Sequence, residues 1–274
     1  MSRHELGSLV AGFHELHRGP DLLVLANAWD AGSALLIESM GARAIATTSA
    51  GLAWSHGYPD GNSLPSSLAV ATAAEITRAV RVPVSIDLEG GYSDDPEAVA
   101  KLVGTLIDVG VAGINIEDGG GSPDRLCRKI EAIRRMASAR GVELFINART
   151  DVYLRGLVAP SNRVAETRTR AARYRDAGAS GLFVPGIVEQ DEIAAIAHEV
   201  PLPLNVMTVA GLAPSGALAK LGVRRLSCGS AIVEAVFGRA RTLAAGYLHD
   251  GGGLTAVEGA MSYGALNVLT ALPR

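Results

Sequence analysis

Residues 83–118 read PVSIDLEGGYSDDPEAVAKLVGTLIDVGVAGINIED, and this stretch decides the fold. It opens on a short apolar run, Pro83 to Glu89, and closes on another, Gly113 to Asp118. Nearly continuous apolar runs of this kind are what strands covered on both faces require. Between them Asp95-Pro96 marks a helix start and Gly110 a helix end. An Asp side chain can accept from the first free N–H groups of a helix, and Gly leaves the last turn most easily. Strand, helix and strand in that order form a βαβ unit, the connection that joins parallel strands. Both runs end in carboxylates.

The same alternation continues in both directions. Further strands are expected at Leu22 to Ala28, Ala44 to Ala50, Leu144 to Thr150, Gly181 to Gly186, Leu202 to Met207 and Arg224 to Gly229. Asp30, Ser66, Ser122-Pro123 and Pro160-Ser161 look like helix starts, and Gly41, Gly141, Gly178 and Gly222 like helix ends. Eight such units with no Pro/Gly/Ser-rich linker predict an α/β chain closed into a (β/α)₈ TIM barrel, one domain over residues 1–274. Two more helices, Ala231 to Leu248 and Thr255 to Asn267, are expected after the barrel, joined by Gly251-Gly252-Gly253. That glycine hinge could carry the C-terminal extension, residues 251–274, onto a neighbouring subunit.

With 48% hydrophobic and 19% charged residues among 274, the chain has ample material for a packed core, and disorder is excluded. Its net charge of -3 gives no general pull toward nucleic acid or anionic lipid. Met1 to Gly7 lacks an apolar signal core, and the uncharged run Val200 to Ala219 is broken by three prolines, Pro201, Pro203 and Pro214, so a cytoplasmic protein that does not span a membrane is expected. Cys127 and Cys228, the only cysteines, have no metal-ligand spacing. Gly119-Gly120-Gly121 lacks dinucleotide-loop spacing, and there is no Walker-type Gly-Lys-Ser/Thr, so a nucleotide cofactor is not supported.

A barrel of this type places its site at the C-terminal ends of its strands. Polar residues collect at those ends: Asn27, Thr47-Thr48-Ser49, Asp87 and Glu89, Glu117 and Asp118, Arg149 and Asp151, and Asn205. Asp87 and Glu89 are two apart on one strand and so should face the same way, with Glu117 beside them. Three convergent carboxylates repel one another unless a cation intervenes, and Mg²⁺, with its oxygen preference and retained waters, suits them. The competing reading is an internal salt-bridge network around Arg149, which alone cannot neutralise three acids. Thr47 to Gly51 could bring backbone N–H groups to a carboxylate or phosphate. Of the histidines, His14 and His17 belong to what reads as a solvated first helix, and His56 lies in a loop close to Asp60.

Several segments together resemble the isocitrate lyase/phosphoenolpyruvate mutase superfamily. They are Asn27-Ala28-Trp29-Asp30-Ala31-Gly32-Ser33, Thr47 to Gly51 leading to Gly57-Tyr58-Pro59-Asp60, Asp87-Leu88-Glu89 before Gly91-Tyr92, Gly113 to Asp118, and Asn147-Ala148-Arg149-Thr150-Asp151. The resemblance implies a (β/α)₈ barrel with its last helix exchanged between subunits, as a dimer of dimers, and Mg²⁺ holding a 2-oxo acid. It implies Asp87 as direct metal ligand, with Glu89 and Glu117 acting through water. It also implies Thr48, Ser49 and Ala50 as a backbone cradle for the substrate carboxylate, Arg149 on the substrate oxygens, Asp60 as the loop acid near the reacting bond, and Asn205 facing the substrate.

The chain departs from the isocitrate and methylisocitrate lyases after the fourth strand. Their Lys-Lys/Arg-Cys-Gly-His loop, whose cysteine protonates the departing enolate, is replaced by Gly119-Gly120-Gly121-Ser122-Pro123. Cys127 falls in the following helix, where packing is its expected role. The gating sequence of the mutase is also missing. A short glycine loop tolerates water, so cleavage of a C–C or C–P bond to give pyruvate enolate, for instance by decarboxylation, is expected over rearrangement. Mutase-type or hydroxymethyl-transfer chemistry is the alternative enzyme reading. An inactive ligand-binding barrel is the alternative outside enzymes.

Overall fold

The computed structural model describes residues 3–251 and 257–271. Nine short parallel strands form one sheet: β1 (Leu23–Leu25), β2 (Asn27–Ala28), β3 (Ile45–Thr47), β4 (Val84–Asp87), β5 (Gly113–Glu117), β6 (Phe145–Arg149), β7 (Gly181–Val184), β8 (Leu204–Met207) and β9 (Val223–Ser227). Their spatial order is β1-β9-β8-β7-β6-β5-β4-β3-β2. β1 and β2 are successive halves of one expected strand. The first half pairs with β9 and the second with β3, so the two ends of the ladder meet in one run of chain and the barrel closes on eight places.

Helices α1 (Arg3–Arg18), α2 (Ala31–Ser39), α3 (Ser49–Ser55), α4 (Ser66–Ala79), α5 (Pro96–Asp108), α6 (Pro123–Ala139), α7 (Arg163–Ala177), α8 (Gln190–Glu199) and α9 (Ser215–Lys220) accompany the strands. Their starts follow the chemistry of the sequence. Asp30 and Ser33 form a reciprocal cap on α2, Asp95 accepts the Glu97 N–H at 3.1 Å, and Ser122 accepts that of Asp124 at 3.2 Å. Pro160-Ser161 starts only a 3₁₀ turn, Pro160–Asn162, and α7 follows from Arg163. The strand expected at Ala44 to Ala50 ends at Thr47, because the hydroxyl-rich segment after it is the first turn of α3.

The first helix is not solvated along its whole length. Phe13 and His17 of α1 are buried at the N-terminal end of the barrel, and the His17 ring stacks on Phe145 with centroids 4.0 Å apart. His17 reads as polar in a helix pattern, yet its imidazole fills an aromatic socket. Burial and the nearby Arg225 push its pKa down to about 3, so it is neutral at ordinary pH. Gly113 makes this plug possible, since a Cβ there would stand 2.7 Å from Phe13 Cε1. At Gly181 a Cβ would stand 2.8 Å from Asn147 Oδ1.

Beyond the barrel, α10 (Ala231–Asp250) is expected almost residue for residue. It buries only Val233 and leaves Ile232, Val236, Phe237, Tyr247 and Leu248 exposed. The last helix, α11 (Tyr263–Ala271), begins later than the expected Thr255. Gly252, Gly253 and Thr255 lie outside the described residues. Among the described residues no helix is long and apolar enough to cross a membrane.

Candidate active site

The mouth of the barrel is built by residues whose backbone leaves the strands in different ways. Asp87 ends β4. Its N–H donates to Thr47 Oγ1 at 2.9 Å, and its Oδ2 accepts the Ser49 N–H at 3.3 Å, so β3 and α3 fix both its backbone and its carboxylate. Glu89 does not continue the strand, as alternation suggested. Its φ of 52° is a left-handed conformation that a non-glycine residue adopts only when held. Asn62 holds it, with its N–H donating to Glu89 Oε2 and its Oδ1 accepting from Gly90 N at 3.1 Å and Tyr92 N at 3.3 Å. Glu89 Oε1 and the Tyr92 hydroxyl are buried with no partner.

Glu117 and Arg149 are register partners on β5 and β6, and their side chains form an ion pair, Nη1 to Oε2 at 2.8 Å. Arg149 is held from behind by Asp151, through Nε at 2.7 Å and Nη2 at 3.2 Å, and its guanidinium lies 5.8 Å from the Phe183 ring centroid. Asp151 also takes Arg155 Nε at 2.9 Å and donates its own N–H to Asp118 Oδ1 at 3.0 Å. Asp118 in turn accepts from Arg170 at 2.8 Å and the Tyr174 hydroxyl at 2.5 Å. Asp118 therefore faces away from the mouth and anchors the shell that orients Arg149.

The electrostatics express a shortage of positive charge. Burial raises the pKa of Glu117 to about 8; Arg149 opposes the shift, while Asp87, Asp151 and Glu89 add to it. Glu89 is raised to about 7 by burial, with Asp60 and Asp87 contributing, and Asp87 is raised as well, chiefly by burial. These shifts show that the three carboxyls share one field. They do not meet at one point, however. Among the described residues no group of three His, Cys, Asp or Glu side chains stands ready to hold an ion by direct bonds. Glu117 leans on Arg149 and Glu89 on Asn62. An all-oxygen set with an orphaned Glu89 oxygen fits a hard divalent ion that bonds one carboxylate directly and reaches the others through its waters.

The other expected residues are placed unequally. Thr48 precedes α3 and its N–H is spent on Ala28 O at 3.0 Å, and Ser49 donates to Asp87, whereas Ala50 lies in the first turn of α3, where backbone N–H groups lack helical acceptors. Asp60 is exposed in the loop after α3 and its charge acts on both Glu89 and Asp87. His56 is not turned to Asp60, for its Nε2 bonds Thr72 Oγ1 of α4 at 2.9 Å. Asn205 needs correction as a substrate-facing residue. Its Oδ1 accepts from Asn147 at 3.0 Å, and its Nδ2 points to Val206 O at 2.7 Å, Arg225 O at 3.2 Å and Ser227 Oγ at 3.2 Å, so the whole amide is used inside the barrel.

A cavity of about 490 Å³ opens beside Glu117 and is lined by Asn62, Tyr92, Gly119, Lys129 and Arg155. The loop over it, Gly119 to Ser122, offers no ionisable side chain. Cys127 lies on α6 against the core, with its thiol raised by burial, so it is no acid for the mouth. Sequence reasoning missed Asn62, Arg155, Arg170 and Tyr174. Asn62 and Arg155 carry no motif, and Arg170 and Tyr174 are distant in sequence from Asp118, the carboxylate they serve.

The family model described as phosphoenolpyruvate phosphomutase matches residues 13–248. A 2-methylisocitrate lyase of Bacillus subtilis is 28% identical over 221 residues, 75% of this chain and 69% of its own. An oxaloacetate decarboxylase of Pseudomonas entomophila is 29% identical over 205 residues, 71% and 70% of the two chains. A solved structure described as a putative lyase/mutase from Burkholderia cenocepacia superposes with a TM-score of 0.87 at 34% identity, covering 98% of each chain.

Proposed function

The chain belongs to the isocitrate lyase/phosphoenolpyruvate mutase superfamily, and from that premise we propose that it is a Mg²⁺-dependent lyase cleaving a C–C or C–P bond at C3 of a 2-oxo acid through a pyruvate enolate. Asp87 would hold the ion directly, and Glu89 and Glu117 through water. When bound, the ion supplies Lewis-acid polarisation of the substrate oxygens.

The rest of the chemistry belongs to the chain. Arg149 has five N–H groups and spends three of them on Glu117 and Asp151. One on Nη1 and one on Nη2 are left to meet negative charge as it develops on the substrate, from a guanidinium already locked in place. The segment Thr48 to Ala50 at the start of α3 would receive the substrate carboxylate; Ala50 N–H is unspent by a helical acceptor, while Thr48 and Ser49 already donate to Ala28 O and Asp87. Asp60, exposed in the loop after α3, would be the acid near the bond that breaks.

The observation that carries cleavage is the loop after β5. Gly119 to Ser122 brings no proton donor to the mouth, and the nearest thiol is packed on α6. CO₂ leaves without a positioned acid, and a phosphoryl group is taken by water to give phosphate, so in both cases the pyruvate enolate stays behind and solvent can protonate it afterwards. Calorimetry with oxalate, which mimics that enolate, tests the reading. Oxalate should bind only when Mg²⁺ is present, and Asp87→Ala should lose both Mg²⁺ and oxalate binding while keeping its Tm. An Asp87→Ala chain that binds both as the wild type does would refute the assignment.

A further inference from the structure

Below the carboxylates the barrel holds a charge that none of this chemistry uses. Arg225, on β9, is wholly enclosed. Its Nη2 donates to Asn115 Oδ1 on β5 at 3.3 Å, while Nε and Nη1 are buried without an acceptor. β9 and β5 stand four places apart in the eight-place ring, so they face each other across the barrel. A side chain that reaches from one to the other lies across the axis. Asn115 precedes Glu117 by two residues and Ser85 precedes Asp87 by two, which puts the guanidinium one inward-facing layer, roughly 7 Å of strand, beneath the mouth.

The layer around it is fixed. Asn147 Nδ2 bonds Asn115 Oδ1 at 2.9 Å and Asn205 Oδ1 at 3.0 Å, and Asn205 continues the chain to Ser227. Burial lowers the Arg225 pKa only to about 10, so the group is charged at neutral pH. Among the described residues no carboxylate pairs with it, and the Asp87 charge acts on it from above. An unpaired cation in a barrel core is a standing cost that an apolar side chain of similar volume would not incur. His17, the other group within its field, is neutral, so the benefit of the charge falls at the mouth, where Asp87 feels it.

We propose that Arg225 is a positioning residue, a fixed axial cation under the site that favours the anionic head of the substrate and limits how tightly the divalent ion is held. The inference rests on the reading that the mouth takes Mg²⁺ and a 2-oxo acid. Arg225→Met keeps the volume and removes the charge, and Arg225→Gln keeps an amide donor toward Asn115. Calorimetry on the full chain should show oxalate affinity in saturating Mg²⁺ falling about tenfold in both variants, while Mg²⁺ affinity without oxalate rises several-fold. Arg225→Lys, which keeps the charge, should hold both affinities within about twofold of the wild type. Met and Gln variants that bind both ligands as the wild type does, whatever their Tm, would overturn the inference. Should neither neutral variant fold, a Lys variant that loses oxalate affinity would do the same. A wild-type chain that ignores oxalate in Mg²⁺ would instead sink the proposed function, and this inference with it.

Discussion

Glu117 and Glu89 carry titrations that tie stability to the state of the site. Both are carboxyls whose native pKa, about 8 and about 7, lies above the ordinary value of 4.5. Between those limits the native chain binds more protons than the unfolded one, so stability falls as pH rises. This contribution is full below about pH 4.5 and is lost through pH 7 to 8. Metal-free protein should therefore lose Tm from pH 5 to pH 8, measured by scanning calorimetry, and saturating Mg²⁺ should flatten that slope by neutralising the carboxylates as they ionise. A metal-free Tm that rises over the same range would contradict the placement of these acids. Residue identity pointed to Asp87, Glu117 and Arg149 as charges at strand ends, and the structure gathers them at one mouth, while Asp118 and Asp151, charged strand ends of the same kind, serve the shell behind it. Asn205 was misread because the same signal, a polar residue at a strand end, also marks an interior hydrogen-bond layer.

At the scale of elements, the βα alternation was legible from runs of apolar residues and their caps, and the five glycines expected to end helices all have left-handed backbone. The misreadings share a cause. Periodicity reports which face is buried, not what it is buried against, so it passed over the His17 plug under the barrel and the early start of α3 after Thr47. It also could not reveal that β5 and α7 are joined behind the site. Asp118, with its carboxylate wholly enclosed, serves the Asp151 N–H, Arg170 and Tyr174. Asp118→Ala leaves Arg170 buried without this partner, and should cost about 3–5 kcal/mol in urea unfolding. It should also lower kcat, because Asp151 and through it Arg149 lose their anchor. A variant with wild-type stability and turnover would show that the shell behind the site does not matter.

At the scale of the whole molecule, the exposed large apolar side chains are concentrated on α10 and α11. Phe237 and Val236 face out from α10, and Tyr263, Leu266 and Val268 from α11. We propose that a neighbouring copy covers them, in a dimer or a dimer of dimers. Ending the chain before Gly251 should then give monomers or insoluble protein, and a truncated chain that keeps its full oligomeric mass in sedimentation would refute the exchange of the last helix. The barrel itself was legible because eight units of one kind admit few closures, whereas the lid chemistry that selects among substrates depends on only a few residues, Gly119 to Ser122.

Those few residues set the measurement that bears most directly on the central claim, a comparison of kcat/KM in Mg²⁺ for oxaloacetate and 3-phosphonopyruvate against isocitrate and 2-methylisocitrate. The two tricarboxylates release an enolate that must be protonated before it re-adds to its partner, and a missing positioned acid costs about 10²–10⁴-fold. The expected result is pyruvate release from oxaloacetate or 3-phosphonopyruvate at the higher kcat/KM, unchanged by Cys127→Ser. A higher kcat/KM for either tricarboxylate, abolished by Cys127→Ser, would contradict it.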